Sequence, residues 1–163
     1  MTVVCNATPL INFAAINRLD ILQTTFRQIV IPQAVYYETT ILSFPGSEFI
    51  LQAIAARWLQ VISVSTITLN IPPELDNGER EAIALALETG ERQILLDERE
   101  ARQVAQNLGL QTIGTLGILL LAKNRKIITQ VQPLLDAMIN TAQYWVSRSL
   151  YEQVLRQTGE LID

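Results

Sequence analysis

The chain of 163 residues contains no histidine, and Cys5 is its only cysteine. Without an imidazole there is no Ser-His-Asp or Cys-His catalysis, no histidine general base and no histidine-containing metal site. A single thiol forms neither an internal disulfide nor a CxxC site, and a reducing compartment suits it best. Aromatic residues make up 6% of the chain and charged residues 17%. Long apolar runs are missing too. The most apolar later stretch, Leu116 to Ala122, falls far short of the roughly 20 residues that span a bilayer. Residues 1–16 lack the basic start and long apolar core of a secretory signal, so a cytoplasmic protein without membrane contact is expected. What is present is a 49% hydrophobic composition, with a mean hydropathy of +0.24, enough for one well-filled core. Sixteen acidic residues stand against 12 basic ones. The net charge of −4 argues against a general nucleic-acid coat protein but leaves room for a local basic rim. With imidazole and paired thiols excluded, carboxylates lead. They point to hydrolysis by two carboxyls or to a hard cation such as Mg2+ or Mn2+.

Short apolar strands alternate with helical patterns along the chain. Thr2 to Cys5, Gln28 to Ile31, Trp58 to Val64, Ile94 to Leu96 and Thr112-Ile113 have strand character. Thr8 before Pro9 suggests a helix start, with Leu10, Phe13, Ala14 and Ile16 at helical spacing. Further helices are expected over Leu19–Thr25, from Pro32 until Phe44-Pro45-Gly46, from Ser47 to about Arg57 and over Glu79–Thr89 with Gly90 as its stop. Four more follow: from Asp97 to Gly109, from Thr115 to about Asn124, over Thr129–Thr141 and from Ser147 to about Thr158. Asn70 to Asn77, with Pro72 and Pro73, is a loop. Repeats, low-complexity segments and linkers are lacking. The pattern predicts one α/β domain over residues 1–163 with a mainly parallel sheet.

In such folds ligands lie beyond the carboxyl ends of the strands. Asn6 follows the first strand, Asp97 a later one. Glu79 opens the helix before that later strand, and Glu38 lies about two turns into the helix from Pro32. Each has a plain structural explanation: Asn6 as a turn residue, Asp97 as an N-cap, Glu79 as a first-turn glutamate, Glu38 as a solvated helix residue. Convergence on one cleft would instead require a divalent cation to offset their repulsion. Weaker patterns are the Gly114-Thr115-Leu116-Gly117 junction, where tight packing competes with phosphate binding, and the basic cluster Lys123, Arg125 and Lys126 at a helix end. Ser43, Ser47 and Ser147 lack a histidine partner. Cys5 lies in an apolar strand and is expected to be inert.

Five stretches carry a resemblance: VVCNATPLI (3–11), IPQAVYYE (31–38), GEREAIALALETG (78–90), ILLDEREARQVAQNLGL (94–110) and GTLGILLLAK (114–123). In this order they resemble the PIN-domain family, in particular a PIN-like branch of short prokaryotic proteins first catalogued as a domain of unknown function. The resemblance implies an α/β/α sandwich and a Mg2+- or Mn2+-dependent ribonuclease. It further implies the toxin half of a type II toxin–antitoxin pair, like the VapC-like toxins, with RNA as substrate, an antitoxin protein as partner and a homodimer as assembly. The family's acidic positions fall on Asn6, Glu38, Glu79 and Asp97, a hydroxyl position on Thr115. Arg99 and Arg102, near Asp97, are candidate phosphate contacts, with ion pairing to Glu98 as the simpler reading. The family's first aspartate is here Asn6, and that leaves a second reading open: a PIN-like binding or regulatory protein with weak or no catalysis. A phosphoacceptor domain built on Asp97 ranks third, because no acidic pair follows the first strand.

Overall fold

A computed structural model describes residues 2–41, 44–67 and 70–161. Five strands form one parallel sheet: β1 (Thr2–Cys5), β2 (Gln28–Ile31), β3 (Leu59–Val61), β4 (Gln93–Leu95) and β5 (Gln111–Ile113), in the order β3-β2-β1-β4-β5. β1 pairs with β2 through Val3 and Ile29, and with β4 through Val4 and Ile94. Alternation along each strand sends side chains to opposite faces. Val3, Cys5, Ile29, Ile31 and Leu95 meet one helical layer, made of α1 (Ala7–Ala15), α2 (Leu19–Phe26), α4 (Ser47–Ala55), α7 (Thr115–Asn124), α8 (Gln132–Thr141) and α9 (Arg148–Gln157). Val4, Val30, Ile94 and Leu96 meet the other, made of α5 (Asn77–Thr89) and α6 (Arg99–Asn107). The helix α3 (Gln33–Tyr36) packs against α5. This is the expected α/β/α arrangement, with a wholly parallel sheet.

Several helix starts differ from the sequence reading by one to three residues. At four of them, Thr8, Ser47, Asp97 and Thr115, the side chain expected to cap has another partner. α1 begins at Ala7 with Asn6 in the N-cap position, while the Thr8 hydroxyl donates to Glu98 Oε2 at 2.5 Å. α4 is entered through Gly46, at φ 91°, and the Ser47 hydroxyl turns back to the Thr39 carbonyl at 2.9 Å. α7 starts from Gly114 rather than Thr115, and α6 from Glu98 rather than Asp97. Ser147 does cap α9, accepting from the Leu150 amide at 3.1 Å, and Gly90 ends α5 at φ 77°. α8 begins at Gln132, with Pro133 in its first turn. The helix from Pro32 changes character after Tyr36 and continues as a π-helical turn, Tyr37–Ile41. There Thr39 and Thr40 bond back to the Val35 and Tyr36 carbonyls at 2.8 and 2.6 Å. Strand β3 is shorter than the Trp58–Val64 pattern. The Ile62 amide makes a last tie to the Ile31 carbonyl, at 2.9 Å, and the chain then leaves the sheet.

Two members of the basic cluster at the end of α7 have structural roles. Lys123 Nζ donates to Glu160 at 2.9 Å and to the Thr158 carbonyl at 2.8 Å, and Arg125 donates to the Thr25 carbonyl at 3.2 Å. Burial opposes the charge on Glu160, yet the Gln132 and Val131 amides and Lys123 outweigh it and hold this carboxyl at about 2. Ser43 lies outside the described residues. Among the described residues, no helix is long and apolar enough to cross a membrane.

Gly46 is required twice over. Its φ of 91° disfavours any side chain, and a Cβ there would run into the Ala14 carbonyl. Gly46→Ala is expected to lower unfolding stability by about 2–4 kcal/mol in urea titrations. An unchanged midpoint would show that the α1–α4 contact yields easily.

Candidate functional site

In the strand order, β1 and β4 are neighbours whose following helices, α1 and α6, go to opposite faces of the sheet. This is the topological switch point, where a crevice opens beyond the strand ends. Asn6 follows β1 directly and donates its amide N–H to the Leu95 carbonyl at 2.9 Å. Asp97 lies two residues beyond β4. The fold therefore puts these two predicted residues at the edge of one crevice.

Asp97 does not cap the helix that follows it. Its carboxylate reaches across to the start of α7, where Oδ1 accepts from the Thr115 amide at 2.9 Å and Oδ2 from the Thr115 hydroxyl at 2.6 Å. The Tyr144 hydroxyl also donates to Oδ1, at 3.3 Å. A carboxylate at a helix N-terminus gains from the aligned peptide dipoles. Even so, burial raises the Asp97 pKa, the Thr115 bonds lower it, and the neighbouring Glu98 raises it further, for a net upward shift. Gly114 makes the close approach possible: a Cβ there would lie 2.9 Å from Asp97 Oδ1 and 2.8 Å from an Arg102 guanidinium nitrogen. The glycine-rich junction thus serves packing, and its first helical amide is taken by a carboxylate rather than left for a phosphate. Buried Asn12, 2% exposed, donates to the Thr115 hydroxyl at 3.0 Å and completes the chain of bonds.

Asn6 is 3% exposed. Its Nδ2 donates to Glu98 Oε1 at 3.1 Å. Its Oδ1 then has no hydrogen-bond donor. A buried amide oxygen without a partner is costly and calls for an explanation.

Glu79 occupies the third position of α5 in a capping box. Its amide donates to Asp76 Oδ1 at 2.8 Å, and its Oε1 accepts from the Asp76 amide at 3.2 Å. It is 7% exposed. Burial pushes its pKa up, the Asp76 amide pulls it down, and Asp76, Glu98 and Glu38 repel its charge, leaving it at about 7. Glu38 sits on the π-helical turn and faces the start of α5, where a Cβ on Gly78 would come within 2.5 Å of its Oε1. Its pKa is raised by burial and by repulsion from Asp76, Glu98 and Glu81, with the Gly78 amide acting the other way. Glu38 and Glu79 thus feel each other and Glu98, and Glu98 bonds Asn6 and Thr8 next to Asp97. None of Glu38, Glu79, Asp97 or Glu98 makes a salt bridge among the described residues.

Arg99 and Arg102 line a cleft of about 310 Å3 with Asp97. Neither forms a salt bridge with Glu98 or any other acid among the described residues, so the simple ion-pairing reading fails. Cys5 is fully buried, and burial followed by the charges of Asp97 and Glu98 drives its thiol pKa up, as expected for an inert side chain. Four participants were not singled out from the sequence: Glu98, Asp76, Asn12 and Tyr144. Glu98 and Asp76 adjoin or precede predicted acids, and Asn12 interrupts the apolar face of α1. Tyr144 carries no local signal, because it arrives from 47 residues away.

The family model described as PIN domain matches residues 2–160. The chain belongs to the PIN-domain family, whose members are generally metal-dependent nucleases. A comparison with curated proteins finds no match.

The raised Glu79 pKa has a consequence for stability without metal. A carboxyl titrating near 7 when folded, against 4.5 as its ordinary value, binds more protons in the folded state across that interval. Stability from this group is therefore fully present below 4.5 and is lost as pH rises through 7. Glu79→Gln, which retains the capping-box acceptor, is expected to flatten the fall in melting temperature between pH 5 and 8 in metal-free buffer. An equally steep fall in the variant would assign the pH dependence elsewhere.

Proposed function

We propose that this PIN-domain protein is a Mg2+- or Mn2+-dependent endoribonuclease, acting as the toxin half of a type II toxin–antitoxin pair. The observation that carries the nuclease reading is the unbalanced crevice. Glu38, Glu79 and Asp97 all have raised pKa values, and the buried Asn6 Oδ1 beside Glu98 has no donor. Among the described residues, no three acidic side chains are already gathered closely enough to hold one ion. The donor chemistry nonetheless fits a hard divalent cation, since carboxylates and an amide oxygen are the ligands such ions take. Glu38, Glu79, Asp97 and Asn6 would hold it, with Glu98 orienting the Asn6 amide. When bound, the ion supplies charge neutralisation and Lewis acidity at a phosphodiester.

The chain's own residues do the rest. Thr115, Asn12 and Tyr144 fix the Asp97 carboxylate, with Thr115 as its auxiliary hydroxyl. Arg99 and Arg102, free of salt bridges among the described residues, bind RNA phosphate beside it. Exposed apolar side chains such as Tyr37, Ile41 and Leu51 offer surface for an antitoxin or for a second copy in a homodimer. A cytoplasmic location suits both RNA and a buried free thiol.

A specific observation favours a second reading, a PIN-like binding protein without turnover. Asn6 is neutral where the family pattern resembled above has an aspartate, so it attracts an ion less strongly. Two measurements separate the readings. Metal-dependent RNA cleavage is expected to fall by at least about a hundredfold in Asp97→Asn; unchanged cleavage would sink the site assignment. Asn6→Asp is expected to tighten Mn2+ binding in calorimetry, whereas no uptake of Mg2+ or Mn2+ by the wild type would decide for the non-catalytic reading.

A further inference from the structure

The proposed chemistry leaves one neighbouring feature unused. A cleft of about 460 Å3 lies between α1, which contributes Thr8 and Asn12, and a wall made of Phe44, Pro45, Tyr144 and Trp145. Its volume is within the roughly 300–1,000 Å3 typical of small-ligand sites. Three of these residues also belong to the hydrogen-bonded network of the crevice. Thr8 bonds Glu98, Asn12 bonds Thr115, and Tyr144 bonds Asp97. The cleft is therefore walled by direct hydrogen-bond partners of Glu98, Thr115 and Asp97.

Its outer wall is unusual. Trp145 is 82% exposed, in a chain with only two tryptophans, and Phe44 beside the cleft is also exposed. Gln143, just before Tyr144, holds a left-handed φ of 56°, a conformation that non-glycine residues adopt at some cost. That turn sends Tyr144 inward to Asp97 and leaves Trp145 outward. Beyond Asp97 lies the second cleft, lined by Arg99 and Arg102. Asp97 and its Tyr144 partner thus separate an aromatic cleft from a cationic one.

A single nucleic-acid strand presents the same alternation, flat neutral bases on an anionic backbone. Carboxylates repel the backbone, so a strand reaching Asp97 needs cations for its phosphates and an uncharged surface for a base. Aromatic rings provide that surface by stacking, with little regard to sequence. We propose that the cleft between α1 and Trp145 is a base subsite. It takes one unpaired nucleobase, stacked on the Trp145 indole, from the nucleotide adjoining the phosphodiester at Asp97. Arg99 and Arg102 hold the strand on the other side. The placement of the phosphodiester rests on the nuclease reading, whereas the stacking does not. Duplex is refused, because its bases are already stacked and paired.

The test is a titration of tryptophan fluorescence with a short single-stranded RNA carrying phosphorothioate linkages. An abasic oligonucleotide of equal length and charge serves as control. Quenching by the base-bearing strand and not by the abasic one is expected. Trp145→Ala should abolish the quenching and weaken binding by about fivefold or more, and Trp145→Tyr should restore most of the affinity. Because Trp145 is so exposed, these variants are expected to fold, which far-ultraviolet circular dichroism checks. Equal binding of abasic and base-bearing strands, or unchanged affinity in Trp145→Ala, would overturn the subsite. So would a dimer lost in Trp145→Ala without any quenching by RNA, which would assign the aromatic wall to a second copy of the chain. Trp145-dependent quenching by a protein that never cleaves RNA would support the subsite while removing the nuclease reading. Cleavage with an unaltered KM in Trp145→Ala would do the reverse.

Discussion

The pairing of β1 with β4 is the contact from which the rest of the site follows. It brings together chain segments about 90 residues apart and ties the Asn6 amide to the Leu95 carbonyl. Because α1 and α6 leave these strands toward opposite faces, nothing in the sheet fills the space beyond the strand ends. The side chains that border this space are polar for that reason. They are also crowded for that reason, since the segments after β2, β3 and β4 bring Glu38, Glu79, Asp97 and Glu98 near enough to feel a neighbour's charge.

Electrostatics and folding are intertwined there. Glu79 is both half of a capping box that starts α5 and a carboxyl with an abnormally high pKa. Asp97 is both a partner for the first amide of α7 and a member of the acidic crevice. Hydrogen bonds keep these acids in place, while burial and mutual repulsion act against their charge. The balance is local: Glu160, at the far end of α7, is also shielded from water but meets amides and Lys123, and its pKa moves the opposite way.

Much of this was legible in the sequence, and the reasons for what was not are physical. The strands were readable because continuous β-branched and apolar runs suit a sheet covered on both sides. The helices were readable from their apolar spacing, and Gly90 and Ser147 marked ends correctly because their local roles had no competitor. Caps at Thr8, Ser47, Asp97 and Thr115 were misplaced because each side chain has a stronger partner elsewhere, in three cases on a distant element. Asn6, Glu38, Glu79 and Asp97 were singled out as candidates through strand-end logic and the family resemblance. Glu98 was passed over as an ordinary surface acid, although it is the side chain that orients Asn6. The π-helical turn under Glu38 leaves no pattern in residue spacing, and Tyr144 reaches Asp97 only through the packing of α8.

That last bond has a bearing on how the protein is made. Tyr144 lies in the segment between α8 and α9, so the nascent chain must be extended well past β5 before Asp97 gains its third hydrogen bond. Until then the acids at the strand ends exist, but the carboxylate at their centre is held by Thr115 alone. The order of synthesis thereby keeps the crevice incompletely braced until residue 144 has been added, 47 residues after Asp97.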